Sequence, residues 1–393
     1  MYIAILGRQA GLSMAELERR FGADNTRWFS STAATIETGD FSIDQLGGSL
    51  KAGNVVHVIQ RGNWKQVSQE VITAYSHEWS GREGKITLGI SAYGFDASAR
   101  DVQRIGIMIK KNLKKSGGSL RLIPNTEPAL NTATSHHNKL GLSPNKVELL
   151  IVKSESGKII VAESTGAQNI TALARRDQAR PKRDAFVGML PPKLALMMVN
   201  LSAGGLTSNE ESQPRLLDPF CGTGVILQEA TLLGFSAYGT DLSEKMIRYT
   251  RDNLNWLEET HRVRSGWHLH EGDAMTTTWQ QPIDLVVSET YLGQPFSAPP
   301  SAKKLEEVRG NVNHITTAFL KNLRSQIKPG TPLCLAVPAW RSTDGHLTHL
   351  PFIRSLEELG YSRVAFKNIT PSDLVYYRED QVVARELLVL EAA

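Results

Sequence analysis

Two cysteines, Cys221 and Cys334, are all that 393 residues carry. That scarcity excludes a disulfide framework and a cysteine-built zinc site, and it points to a reducing compartment. Long apolar runs are missing as well, so no membrane-spanning helix is expected. The start, Met1-Tyr-Ile-Ala-Ile-Leu-Gly-Arg8, has neither a basic leader nor an extended apolar core. No signal peptide is expected, and the cytoplasm is the default compartment. Internal repeats and low-complexity tracts are absent. His136 and His137 are adjacent, but no Cys or further His stands at ligand spacing, which argues against a metal.

Net charge is only +4, with 41% hydrophobic and 21% charged residues, values of a globular protein. The charge is unevenly spread. Residues 1–200 hold 26 Lys/Arg against 17 Asp/Glu, whereas residues 201–393 hold 18 against 23. A basic first half suits a polyanion, and an acidic second half suits chemistry.

One stretch organises the chain: Arg215-Leu-Leu-Asp-Pro-Phe-Cys-Gly-Thr-Gly-Val-Ile-Leu227. Leu216 and Leu217 read as a buried strand that Asp218-Pro219 ends, because proline has no ladder N–H. Gly222 and Gly224 allow close backbone approach, and apolar residues at helical spacing follow. Strand, glycine turn and helix make a ligand site whose helix N-terminus favours negative charge. A dinucleotide fingerprint would need a small residue where Leu227 stands, so a nicotinamide cofactor fits poorly.

From 215 onward strands and helices alternate, the pattern of a doubly wound parallel sheet. Strand Ser236 to Gly239 ends at Thr240-Asp241, 19 residues past Gly222, where an acidic residue can accept both ribose hydroxyls of a nucleoside. Leu242 follows it. Strand Trp267 to His270 ends near Asp273-Ala274. Strand Asp284 to Ser288 ends in Glu289-Thr-Tyr-Leu-Gly293. All these strand ends open onto one crevice. Tyr361 to Ile369 and Val382 to Leu390 read as strands, with Tyr376 and Tyr377 in a turn between them.

The first half is α+β. A helix near residue 13 shows a capping-box pattern, Ser13 with Glu16. Helix Ala99 to Lys115 presents Arg104, Lys110, Lys111, Lys114 and Lys115 opposite Val102, Ile105, Ile109 and Leu113, a solvated face or a phosphate-contacting one. Arg175-Arg176-Asp-Gln-Ala-Arg180-Pro-Lys-Arg183-Asp184 reads as an extended basic linker.

Asp218-Pro-Phe220-Cys-Gly222-Thr-Gly224 resembles the first motif of S-adenosylmethionine-dependent methyltransferases that modify exocyclic amines. Ser91-Ala-Tyr-Gly, Leu113 to Arg121 and Ala129-Leu-Asn-Thr-Ala resemble THUMP domains, which bind tRNA ends. Arg180-Pro-Lys-Arg-Asp followed by Gly188-Met-Leu-Pro-Pro-Lys-Leu-Ala195 resembles the catalytic-domain entry of THUMP-class tRNA guanine-N2 methyltransferases. The resemblance covers residues 83–393 and is loose before that. It implies an α/β Rossmann-like class I methyltransferase domain at 188–393, with a mostly parallel sheet and an antiparallel closing hairpin. Ahead of it stand a ferredoxin-like α+β domain at 1–82, a THUMP-like RNA-binding domain at 83–165 and a linker at 166–187. The implied partners are S-adenosylmethionine and tRNA, modified at guanosine 10. Apart from the resemblance, no membrane and no metal are expected, and a monomer is the working expectation.

By the same resemblance, Asp218, Phe220, Gly222, Gly224, Asp241, Leu242, Asp273 and Ala274 hold the cofactor. Arg104, Lys110, Lys111, Lys114, Lys115, Arg175, Arg176, Arg180 and Arg183 contact RNA. The fourth strand departs from the family's Asp/Asn-Pro-Pro-Tyr/Phe. Aligning Tyr291 with the aromatic puts Ser288 at the acidic place; keeping the strand length and Gly293 puts Glu289 there. The second register is preferred because the chemistry wants a carboxylate, which makes Glu289, Tyr291 and Ser288 the catalytic candidates. Two rivals stand beside this reading: an RNA-binding protein that has lost turnover, and a nucleic-acid adenine-N6 methyltransferase.

Overall fold

The computed structural model describes residues 1–184, 190–206, 213–263, 266–296 and 298–393. It divides into two compact units, one of residues 1–14 and 23–172, the other of residues 15–22 and 173–393.

The first unit contains strands β1 (Tyr2–Leu6), β2 (Thr26–Ser30), β3 (Ala33–Ile36), β4 (Ser49–Ile59), β5 (Lys85–Tyr93), β6 (Ser119–Leu122), β7 (Lys146–Lys153) and β8 (Ile159–Ala167). They form one sheet in the order β2-β3-β1-β4-β8-β7-β5-β6. Eight cross-strand pairs join β4 to β8, from Lys51↔Ala167 to Ile59↔Ile159, so ladder hydrogen bonds run between segments 1–82 and 83–165. Helix α1 (Ala10–Phe21) divides between the two units. Helices α2 (Trp64–Glu78), α3 (Ala99–Lys115) and α4 (Thr132–His137) belong to the first. In α3, Val102, Ile105, Gly106, Ile109 and Leu113 are buried at helical spacing. Ser98 and Asp101 close its N-terminus with a capping box, and Asn63 and Gln66 do the same for α2. Ser13 is not a cap. Helix α1 begins three residues earlier, and the Ser13 hydroxyl donates to the Gln9 and Gly48 carbonyls.

After α5 (Ile170–Gln178) and α6 (Pro192–Ala203) come β9 (Arg215–Asp218), α7 (Val225–Leu232), β10 (Ser236–Asp241), α8 (Glu244–His261), β11 (Trp267–Glu271), β12 (Leu285–Glu289), α9 (Ala302–Arg324), β13 (Pro332–Arg341), β14 (Leu347–Thr348), β15 (Tyr361–Arg363), β16 (Val375–Tyr376) and β17 (Val383–Ala392). Their sheet runs β11-β10-β9-β12-β13-β17-β15, with β14 on β13 and β16 on β17. The first five strands in that order are parallel, and β17 enters antiparallel between β13 and β15. Residues Leu333 to Val337 and Leu285 to Val287 are wholly buried, the near-continuous apolar reading of strands covered on both faces. The order reverses between β9 and β12, and such a switch point opens a crevice at the carboxyl ends of the strands.

Two expectations are corrected here. The stretch from Arg175 is not extended at its start, because α5 runs to Gln178 and Pro181 comes after its end. The strand expected over Tyr361 to Ile369 is only three residues long, and Tyr376 belongs to β16, paired with Arg385, rather than to a turn.

Candidate active site

The crevice at the ends of β9, β10, β11 and β12 encloses about 530 Å³. That volume lies within the range of about 300–1,000 Å³ usual for small-molecule pockets. Asp218, Phe220, Gly222, Asp241, Leu242, Asp273, Ala274, Glu289 and Tyr291 all line it. Nine of the residues singled out from sequence therefore converge on one space.

The glycine turn is built by backbone geometry. Gly222 and Gly224 have φ of 50° and 79°, left-handed values that side chains disfavour. The Gly222 N–H donates to Asp241 Oδ2 at 2.9 Å, and the Ser243 N–H donates to Oδ1 at 2.9 Å. Each Asp241 oxygen thus keeps acceptor capacity for a ligand. Burial raises the Asp241 carboxyl above the usual range, while those two N–H donors oppose the shift. Asp273 Oδ1 is oriented in the same way by the Met275 N–H, at 2.9 Å.

Gly224 itself does not line the crevice; Thr223 and Val225 on either side of it do. A Cβ on Gly224 would lie 2.7 Å from Thr250 Cγ2, so the missing side chain lets α8 pack against the turn. Ser288 is also outside the cavity lining. It is fully buried, and its hydroxyl donates to Asp218 Oδ1 at 2.6 Å. Burial pushes the Asp218 carboxyl up to about 8, against the pull of the Ser288 hydroxyl and Phe220 N–H. Of the two registers for the fourth strand, the one that uses Glu289 brings a carboxylate into the crevice.

Glu289 has a partner that sequence reading missed. Arg385 of β17 donates from Nε to Glu289 Oε1, with the two side chains 7% and 14% exposed. Burial raises the Glu289 carboxyl, and the Arg385 guanidinium lowers it. Glu289 Oε1 takes this charge-assisted bond, which leaves Oε2 free to serve a second donor. The signal was available: Arg385 and Glu386 together interrupt an otherwise apolar run, Val383 to Leu390. Leu190, from the stretch that resembles the catalytic-domain entry, also borders the crevice, as do Asn311 and Ile315 of α9, which carried no sequence signal.

A family model described as "RMKL-like, methyltransferase domain" matches residues 180–344. The tRNA (guanine(10)-N2)-dimethyltransferase of Methanothermobacter thermautotrophicus is 34% identical over 164 residues, 41% of this chain and 43% of that protein. The "Probable tRNA (guanine(10)-N2)-dimethyltransferase" of Methanothermococcus thermolithotrophicus is 31% identical over 127 residues, 31% of this chain and 72% of that protein. The chain belongs to the tRNA (guanine(10)-N2)-dimethyltransferase family. Its match spans less than half the length of the Methanothermobacter member of that family. In fold, the chain is similar to TrmN from Thermus thermophilus, with a TM-score of 0.53 at 15% identity, covering 100% of this chain and 99% of that one. The fold is thus the Rossmann-like methyltransferase α/β fold: the alternation of strands and helices pointed to its parallel sheet, and the motif resemblance implied the methyltransferase form.

The basic residues fall into two groups. Arg104, Lys110, Lys111, Lys114, Lys115, Arg175 and Arg183 are exposed. Arg176 is not: it is 8% exposed and clasps Glu229 of α7 with two bonds of 2.6 and 2.9 Å. Arg180 is 3% exposed. Neither is placed for a surface phosphate, which corrects the expectation that the whole row meets RNA. Among the described residues no cluster of ligating side chains could hold a metal, and no helix is long and apolar enough to cross a membrane.

Proposed function

We propose that the chain methylates the exocyclic N2 amine of guanosine in tRNA, using S-adenosylmethionine. The observation that carries this reading is the convergence of Gly222, Asp241, Asp273 and Glu289 on one crevice in a member of this family. The residues fit the cofactor: Asp241 offers acceptors to ribose hydroxyls, Asp273 and Ala274 would hold the adenine, and the glycine turn leaves backbone open to the methionine half. When bound, that cofactor supplies a methyl group on a sulfonium centre. The relatives' shared name supports guanosine 10 as the target and two methyl groups as the end point.

Guanine N2 is a weak nucleophile because its lone pair is delocalised into the ring. Glu289 accepts the amine N–H bonds through its free oxygen, turning nitrogen density outward and countering the positive charge that builds there. It can also take the proton that the amine sheds. Arg385 favours the ionised form against the opposing effect of burial and fixes the carboxylate's orientation, and much of the rate comes from holding reactants in line. Tyr291, lining the crevice and 42% exposed, offers a face on which an extruded base stacks. In the first unit, a THUMP-like role rests on the exposed Arg104, Lys110, Lys111, Lys114 and Lys115, with Arg175 and Arg183 adding phosphate contacts from the joint.

Incubation with S-adenosylmethionine and unmodified tRNA, followed by nucleoside analysis, tests the proposal. N2-methylated guanosine is expected. Cofactor binding without any methylated guanosine would leave a non-catalytic RNA binder, and N6-methyladenosine would point to the other rival.

A further inference from the structure

The second unit holds another cavity, of about 670 Å³, lined by Arg309, His349, Arg354, Arg363 and Glu386. Three arginines meet there in a half of the chain that is acidic overall, 18 Lys/Arg against 23 Asp/Glu in residues 201–393. The one carboxylate in the lining is already engaged: Glu386 binds His349 Nδ1 at 2.6 Å and lies 3.8 Å from Arg363. Arg309 uses only its Nε, which donates to the His349 carbonyl at 2.9 Å. Arg354 forms no hydrogen bond or ion pair among the described residues and is exposed. Positive charge here therefore exceeds what the protein itself neutralises, and planar forks suit phosphate oxygens.

The same elements wall this cavity and the active-site crevice. On α9, Arg309 faces the cavity while Asn311 and Ile315 face the crevice. On β17, Arg385 reaches Glu289 and its neighbour Glu386 lines the cavity, as alternation along a strand requires. Glu289 stands opposite Ala336 of β13, and the next residue, Val337, stands opposite Glu386. Two strand spacings, about 10 Å, thus separate the backbones of Glu289 and Glu386. Beside the basic cavity lies an apolar slot of about 290 Å³ with Phe366, Ile369, Leu374 and Val389, sharing Arg363 and Pro371 with it.

We infer that the basic cavity takes a backbone phosphate of the RNA strand whose guanine enters the crevice, with a flanking base in the apolar slot. This rests on the function proposed above, but its test does not need turnover. Labelled unmodified tRNA is titrated with the full chain at several salt concentrations. Arg309→Gln with Arg354→Gln is expected to weaken binding about tenfold and to lower the salt slope by about one for each phosphate that is no longer held. S-adenosylmethionine affinity and the melting temperature should stay put, and Arg354→Lys should restore most of the slope. Unchanged tRNA affinity and slope in the double variant overturn the site, even where guanosine is methylated. So does a cavity that binds inorganic phosphate in calorimetry while the variants leave tRNA binding intact. A wild-type chain that binds tRNA without methylating it refutes the function and leaves this measurement standing.

Discussion

Two buried ion pairs, one in each unit, use similar chemistry to different ends. In the first unit, Lys51 Nζ meets Glu148 Oε1, the Ser91 hydroxyl at 3.3 Å and the Leu130 carbonyl at 2.7 Å. The Lys51 and Glu148 side chains are 2% and 0% exposed, sealed within the sheet. In the second unit, Arg385 engages one oxygen of Glu289 and leaves the other toward the crevice. Glu148 Oε2 also lacks a partner among the described residues, but it is buried within the sheet, so the first pair can only hold β4 and β7 in place. The second is half open and presents a fixed carboxylate. Burial alone does not mark a functional charge; an unused acceptor facing a cavity does.

Breaking the closed pair should have the largest effect. Lys51→Met strands the Glu148 carboxylate in the sheet and should destabilise the first unit by about 3–5 kcal/mol. Urea denaturation reads this, and adding Glu148→Leu should restore most of the loss. A single-variant cost near zero would mean that the pair is not sealed.

Opening the contrast from the other side, Glu289→Gln keeps the side chain's shape and a hydrogen-bond acceptor for Arg385 but removes its charge. Turnover should fall about 10²–10³-fold, the loss typical of one preorganised transition-state group, with cofactor and tRNA affinities retained. Equal turnover in single-turnover kinetics would make the half-open pair merely structural.

Asp218 lies between the two extremes, buried yet lining the crevice, and its carboxyl is raised to about 8. Its folded value exceeds the unfolded one of about 3.9, so its contribution to stability is full below about pH 4. That contribution is lost as pH rises through about 8. Melting temperatures between about pH 5 and pH 9 should show the decline, and Asp218→Asn should flatten it.

Ser288→Ala should be the mildest change. Losing one hydroxyl bond to Asp218 costs about 1 kcal/mol, and turnover should persist. A severe loss of turnover here, with Glu289→Gln mild, would favour the other register.

The second unit was legible in the sequence because each of its signals is local. Strand, glycine turn and helix lie within 215–227, Asp241 and Glu289 end their strands, and Asp273 stands two residues past β11. What escaped was non-local. Arg385 lies 96 residues beyond Glu289, and only the antiparallel entry of β17 brings them together. Arg176 looked like a surface cation because its partner Glu229, 53 residues away, gives no hint of being buried. Gly224 was read as a glycine that lets backbone approach a ligand; the neighbour its missing side chain spares is Thr250, a contact no local pattern shows. Ser13 with Glu16 matched the spacing of a cap, but the helix had already begun at Ala10.

The 96-residue separation of Glu289 and Arg385 also sets a timetable. A ribosome adding about 5–20 residues per second needs roughly 5–20 s to travel from one to the other. Throughout that interval β12, joined later by β13, exists without β17, and the carboxylate lacks the Arg385 guanidinium. The residues lining the crevice have all been added by residue 315, but its carboxylate is fixed only late in synthesis. A nascent chain arrested before residue 385 carries the glycine turn and the acidic strand ends, yet not the strand that fixes Glu289.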